Sequence, residues 1–146
     1  MQAGLHQIKQ VKNVYGCFLA DNHGEVIAVD PPLELTGKEL GLISLHVIQV
    51  LLGLETWGDP AEELDFIYQG SRLVVRDLGH SALIVICDPG LDISLLRMTM
   101  NVVSSRWEQD GKIQKELESH AVSRDVELPD IFVETNLPEN GDLFIP

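Results

Sequence analysis

The chain has 146 residues, and its 23 acidic against 10 basic side chains give a formal charge of −13. That length suits one domain, and the charge has the wrong sign for neutralising the phosphates of a nucleic acid or an anionic membrane surface. Apolar residues make up 45%, enough for a folded core rather than a disordered chain.

The first residues lack the basic-then-apolar pattern of a secretory leader, and no uninterrupted apolar stretch approaches the ~20 residues that span a bilayer. The expectation is a cytoplasmic protein without membrane insertion. Cys17 and Cys87 are the only cysteines. Both fall inside apolar runs, where a thiol behaves as a small hydrophobe, and two cysteines cannot build a four-cysteine zinc site.

In chain order, Leu5, Ile8 and Val11 stand at helical spacing, and Val14 to Ala20 reads as a strand. Asp21, Asn22, His23 and Gly24 form a hairpin turn, in which Gly24 supplies positive φ and the Asx side chains bond their own backbone. Val26 to Val29 is the returning strand, and Pro31 and Pro32 stop the pairing.

A long helix is predicted from about Glu34 to Thr56, ended by Gly58 and Pro60. One broad face carries Leu40, Ile43, Val47, Val50, Leu51 and Leu54, as expected of a helix lying on a sheet. A second stripe of Gly41, Leu45, Ile48 and Leu52 is read on another side, apart from a polar strip of Lys38, His46, Gln49 and Thr56.

Leu64, Phe66 and Tyr68 then alternate with polar residues in a strand, Gly70 and Ser71 turn the chain, and Leu73 to Leu78 returns. Ala82 to Cys87 is unbroken in apolarity. It and Val14 to Leu19 are therefore expected to be central strands covered on both faces. A helix over Asp92 to Gln109 follows, with Leu96, Met100, Val103 and Trp107 on one side. Whether it continues past Gly111 into Lys112 to His120 stays open, since an interior glycine costs about 1 kcal/mol against alanine. From Arg124 to Pro146 the chain has three prolines, six acidic residues and one basic one, which reads as an extended acidic tail. It can lie across its own domain or dock on a partner. No internal repeat is visible.

The order α-β-β-α-β-β-β-α suits an α+β fold, an antiparallel sheet with helices on both faces. Within it, YGCFLADNHGEVIA (15–28) resembles the first hairpin of the roadblock / dynein-light-chain family: a glycine, an apolar strand, an acidic turn ending in glycine, and a second apolar strand. YQGSRLVVRDL (68–78) and ALIVICDPGLDISLLR (82–97) resemble the family's last three strands running into its final helix. The chain is similar to the prokaryotic type, of which the gliding-motility GTPase-regulator subunit is one, over roughly residues 3 to 108.

The resemblance implies a five-stranded antiparallel sheet with one long helix on one face and two terminal helices on the other, the three-layer profilin-like layout. It implies a roadblock-like domain over 1–122, leaving the acidic tail over 123–146. It further implies a homo- or heterodimer built on the central helices and the third strand. Gly41, Leu45, Ile48, Leu52, Leu64, Phe66 and Tyr68 would then form the interface. Family members bind Ras-like small GTPases or act as scaffolds of motor or signalling complexes without GTPase contact. If a GTPase sits over the paired central helices, Lys38, His46 and Gln49 would face it.

No catalytic site is expected, and no cofactor or metal. His6, His23, His46, His80 and His120 are scattered over different predicted elements, without an HExxH pair, and no GxxxxGK[ST] or GxGxxG loop is present. Arg72, Arg76, Arg97 and Arg106 are arginine-finger candidates by residue type alone. A small-ligand sensor with a pocket between layers is disfavoured, because the dense apolar pattern leaves few polar groups to line one.

Overall fold

The computed structural model describes residues 1–30, 35–59 and 61–125, with backbone alone over 121–125. Helix α1 (Gln2–Lys9) precedes the hairpin β1 (Val14–Asp21) and β2 (Val26–Val29), then helix α2 (Gly37–Thr56). Strands β3 (Glu63–Tyr68), β4 (Ser71–Asp77) and β5 (Ser81–Cys87) follow, then helices α3 (Ile93–Gln109) and α4 (Gly111–Asp125). The expected stops at Pro31, Pro32 and Pro60 lie outside the described residues, as does the tail from residue 126 onward.

The five strands form one antiparallel sheet in the order β2-β1-β5-β4-β3. The two strands expected at the centre are there: β5 is buried along its whole length, and β1 everywhere but Tyr15. Such strands need apolar side chains on both faces, which is why neither alternates.

Above the sheet, Phe18, Ala20, Leu73, Val75, Ile84 and Ile86 meet Leu40, Ile43, Val47 and Ile48 of α2. Below it, Cys17, Leu19, Val74, Leu83 and Val85 meet Leu5 and Ile8 of α1 and Leu96, Met100, Val103 and Trp107 of α3. Each large apolar side chain so buried contributes roughly 1.5–3 kcal/mol. Where α1 crosses α3, a Cβ on Gly4 would lie 2.8 Å from the Trp107 ring, so only glycine allows this approach.

Among the described residues the lower layer has three helices rather than the two expected. The chain breaks at Asp110, whose extended backbone (φ −96, ψ 104) leaves α3. Its carboxylate then accepts from the Lys112 and Ile113 amides and its carbonyl from that of Gln114, so it caps α4. Helix α4 runs on to Asp125, past the expected boundary at residue 122, so residues 123–125 are helical rather than extended.

Helix α2 begins at Gly37, later than the predicted Glu34. Thr36 Oγ1 accepts from the Glu39 amide at 3.1 Å, and the Glu39 carboxylate accepts from the Thr36 amide at 2.8 Å. This capping box satisfies two otherwise orphaned backbone donors. The Thr36-Gly37-Lys38-Glu39 pattern was its overlooked sequence signal. By length and composition alone, with a mean hydropathy of 1.3, α2 would suffice to cross a membrane, contrary to the expectation for this chain. Its apolar residues are instead divided between a face on the sheet and a second, exposed face.

Candidate interaction surface

The sheet-facing arc of α2 holds Leu40, Ile43, Ser44, Val47 and Ile48, all buried. Ile48, expected on the second stripe, is 6% exposed and packs on the sheet. Val50, expected on the sheet, is 44% exposed. Both corrections reflect one rotation of the helix, which also turns a polar residue, Ser44, inward. Its hydroxyl is 2.7 Å from the Gly24 carbonyl and 2.9 Å from that of Leu40, so burying it leaves no unmet hydrogen bond.

Gly24 is required twice in this contact. Its φ of +87 is a conformation that side-chain-bearing residues avoid, and a Cβ there would lie 3.0 Å from Leu45 Cα. The β1–β2 turn is thus clamped to α2.

Leu42, Leu45 and Leu52 are left exposed on α2 at helical spacing, together with Gln49 and Lys38. Gln49 falls one turn from both Leu45 and Leu52, so it interrupts the apolar stripe, where a separate polar strip was expected. Gly41 and Gly53 flank the stripe, and a Cβ on either would meet nothing within 4 Å.

On the other flank of α2, His46 Nδ1 lies 2.8 Å from the Tyr68 hydroxyl, with the rings 5.8 Å apart and tilted. Tyr68 ends β3, an edge strand whose only neighbour among the described residues is β4. Leu64, Phe66 and Tyr68 are half-buried and face the α2 core, so what β3 leaves open is its backbone edge. Asp65 and Ile67 point to the opposite face and are exposed.

The candidate arginines are engaged. Arg72 makes a two-pronged contact with Asp65 (2.8 and 2.7 Å), and Glu63 holds both Arg76 (2.9 Å) and Arg97 (2.7 Å). Arg76 also meets the Asn101 side chain, and Arg106 donates to Gln7. The Arg72 guanidinium holds the Asp65 carboxyl below its ordinary range. Burial pushes the Cys17 thiol up to about 12 and that of Cys87 to about 11. No group of three or more metal-ligating side chains occurs among the described residues.

Fold and surface together define a three-layer α+β domain with an open apolar helix face beside an open sheet edge. No family model matches the sequence, and no curated protein matches it. Solved structures do. The Roadblock/LC7 domain from Streptomyces avermitilis is similar with a TM-score of 0.62 at 16% identity, over 74% of this chain and 94% of that one. MglB from Myxococcus xanthus aligns with a TM-score of 0.60 at 15% identity, over 71% and 88%. An MglB structure with a tetrameric arrangement gives 0.64 at 16%, over 79% and 88%. The chain has the Roadblock/LC7 fold.

Proposed function

We propose that this chain is a regulatory module of roadblock type that pairs with a second copy through α2 and β3 and presents the paired helices to a Ras-like small GTPase. The observation that carries the pairing is the symmetry of α2's exposed face. Counted outward from Val47, Leu45 and Gln49 stand at equal distances, as do Leu42 and Leu52, and Gly41 and Gly53.

On an antiparallel partner helix related by a two-fold axis opposite Val47, Leu42 of one copy meets Leu52 of the other, and Gly41 meets Gly53. A glycine inside a helix costs up to about 1 kcal/mol relative to alanine, and the protomer itself has no steric need for Gly41 or Gly53. Two such glycines at symmetric positions suit the close approach of a second backbone. The backbone edge of β3, unpaired on one side among the described residues, is a second surface on which two copies could join.

The GTPase rests on the family resemblance. Lys38, His46 and Gln49 are exposed on α2 of the protomer; in the paired form Gln49 would lie in the seam opposite Leu45, leaving Lys38 and His46 to border such a partner. Arg72, Arg76 and Arg97 are held by carboxylates and Arg106 lies on α3, on the opposite layer from α2, so stimulation of GTP hydrolysis would come from positioning the partner's switch loops rather than from an arginine finger. Two measurements test the reading. Light scattering should give twice the protomer mass for the wild type and one protomer mass for Leu45→Glu. The wild type should then retain a Ras-like GTPase in one nucleotide state, and Lys38→Glu should weaken that retention. A monomeric wild type refutes the pairing. A dimer that recovers motor or kinase subunits and no GTPase supports the scaffold reading instead.

A further inference from the structure

A second exposed apolar stripe lies on the opposite layer. Leu95, Met98 and Val102 of α3 are 45%, 63% and 44% exposed, at spacings that align them along two turns, about 10 Å of helix. The stripe runs into a shallow depression of about 410 Å³ lined by Asn101, Val102, Ser105, Arg106 and Gln109. Of the two arginines on α3, Arg97 is held by Glu63, whereas Arg106 stands at the depression and meets only the Gln7 side chain among its described hydrogen-bond partners.

The 21 residues beyond Asp125 carry five acidic side chains and no basic one. On a finer scale than a domain repeat they also repeat themselves: Asp130-Ile131-Phe132-Val133 recurs as Asp142-Leu143-Phe144-Ile145, and each tetrad follows a Leu-Pro pair, Leu128-Pro129 and Leu137-Pro138. An acidic residue followed by three large apolar ones suits an apolar stripe that ends at an arginine, Arg106.

We infer that the C-terminal segment, residues 126–146, docks on the outer face of α3 of its own chain, a Phe132 or Phe144 tetrad covering Leu95, Met98 and Val102. Three observations favour this occupant over a foreign one. The segment leaves from α4, which packs against α3 through the Gln114 amide bond to the Trp107 carbonyl at 2.8 Å and through the half-buried Ile113. Its length allows a reach of roughly 70 Å when extended, far more than the stripe requires. Its acidic side chains suit Arg106, which lines the depression and donates to the neutral Gln7 side chain rather than to a carboxylate. Two copies of the tetrad raise the local concentration of ligand at one stripe without any new contact. The inference is independent of the GTPase reading, because it uses neither α2 nor β3.

The test uses the full chain with a photo-reactive benzoylphenylalanine in place of Met98, an exposed position that tolerates exchange, in an equal mixture of light and isotopically heavy protein. Irradiation should link residue 98 to 130–133 or 142–145 within the same chain, and Phe132→Ala with Phe144→Ala should abolish the link. As a second readout, deleting residues 126–146 should speed peroxide oxidation of Met98 several-fold while leaving the buried Met100 unchanged. Links that join light to heavy chains, links that miss the tail, or an unchanged Met98 oxidation rate would each overturn the inference.

Discussion

The His46 imidazole and the Tyr68 hydroxyl meet at 2.8 Å and tie the exposed flank of α2 to the end of the edge strand β3. Ser44, on the other flank of the same turn, reaches the β1–β2 turn at Gly24. By strand register, Asp21 pairs with Ser81 at the start of β5, whereas Arg72, beside the β3–β4 turn, pairs with Cys87 at its end. The middle of α2 is therefore fastened to opposite corners of the sheet, which fixes the face it shows to solvent.

Tyr68→Phe removes one end of this tie. A single exposed hydrogen bond contributes about 0.5–1.5 kcal/mol, so the urea midpoint should fall slightly while the fold persists. Any larger effect should appear in the dimer dissociation constant, because the helix face and strand edge it aligns are the two parts of the proposed interface. Sedimentation over a concentration series separates the two.

Leu45→Glu and Ile48→Glu should behave oppositely, although both were expected on one stripe. Leu45 is 42% exposed, and its change should leave the protomer folded and weaken self-association. Ile48→Glu forces a carboxylate into the sheet-facing core and should unfold the chain or cost several kcal/mol. Circular dichroism beside light scattering distinguishes loss of fold from loss of pairing.

Gly24→Ala combines a left-handed backbone with a contact 3.0 Å from Leu45 Cα. A loss of about 1–3 kcal/mol is expected. Ser44→Ala leaves the Gly24 carbonyl without its donor and should cost about 1 kcal/mol or more. Since the two act on one contact, their effects in the double variant should fall short of the sum.

Acid should weaken the fold partly through Asp65. Its pKa is depressed in the folded state by Arg72, so its contribution is complete above the ordinary carboxylate range and is lost as the pH falls through the folded value. The pair is partly exposed, so the effect should not exceed about 1 kcal/mol. Arg72→Gln should remove this part of the acid dependence in urea titrations at pH 7 and pH 3.

The cysteines should resist alkylation in the native protein at pH 8, because Cys17 is raised to about 12 and Cys87 to about 11 from an ordinary 9.0. Linkage gives the sign: the unfolded thiols ionise first, so stability is whole below pH 9 and declines as the pH rises toward the folded values. Iodoacetamide labelling with and without urea checks reactivity, and urea midpoints from pH 8 to 10.5 check the decline.

The sequence by itself determined the strand and helix order as far as α3, the central place of β1 and β5, and the presence of apolar residues on two sides of α2. These are readable because burial on both faces of a strand, or on two sides of a helix, demands apolar residues at positions set by local geometry. The capping box Thr36–Glu39 and the cap at Asp110 were written there too, in residue types that satisfy backbone amides.

Only the tertiary structure decided which residues of α2 stand in solvent. Periodicity gives relative angles around a helix and not its absolute rotation. That rotation is the one at which Leu40, Ile43, Val47 and Ile48 pack on the sheet while Ser44 meets the Gly24 carbonyl, twenty residues away in the chain. The pairing of His46 with Tyr68 and the capture of the arginines by Glu63 and Asp65 were likewise illegible, since they depend on which strands become neighbours. Sequence periodicity reports what must be buried, and packing chooses the partners.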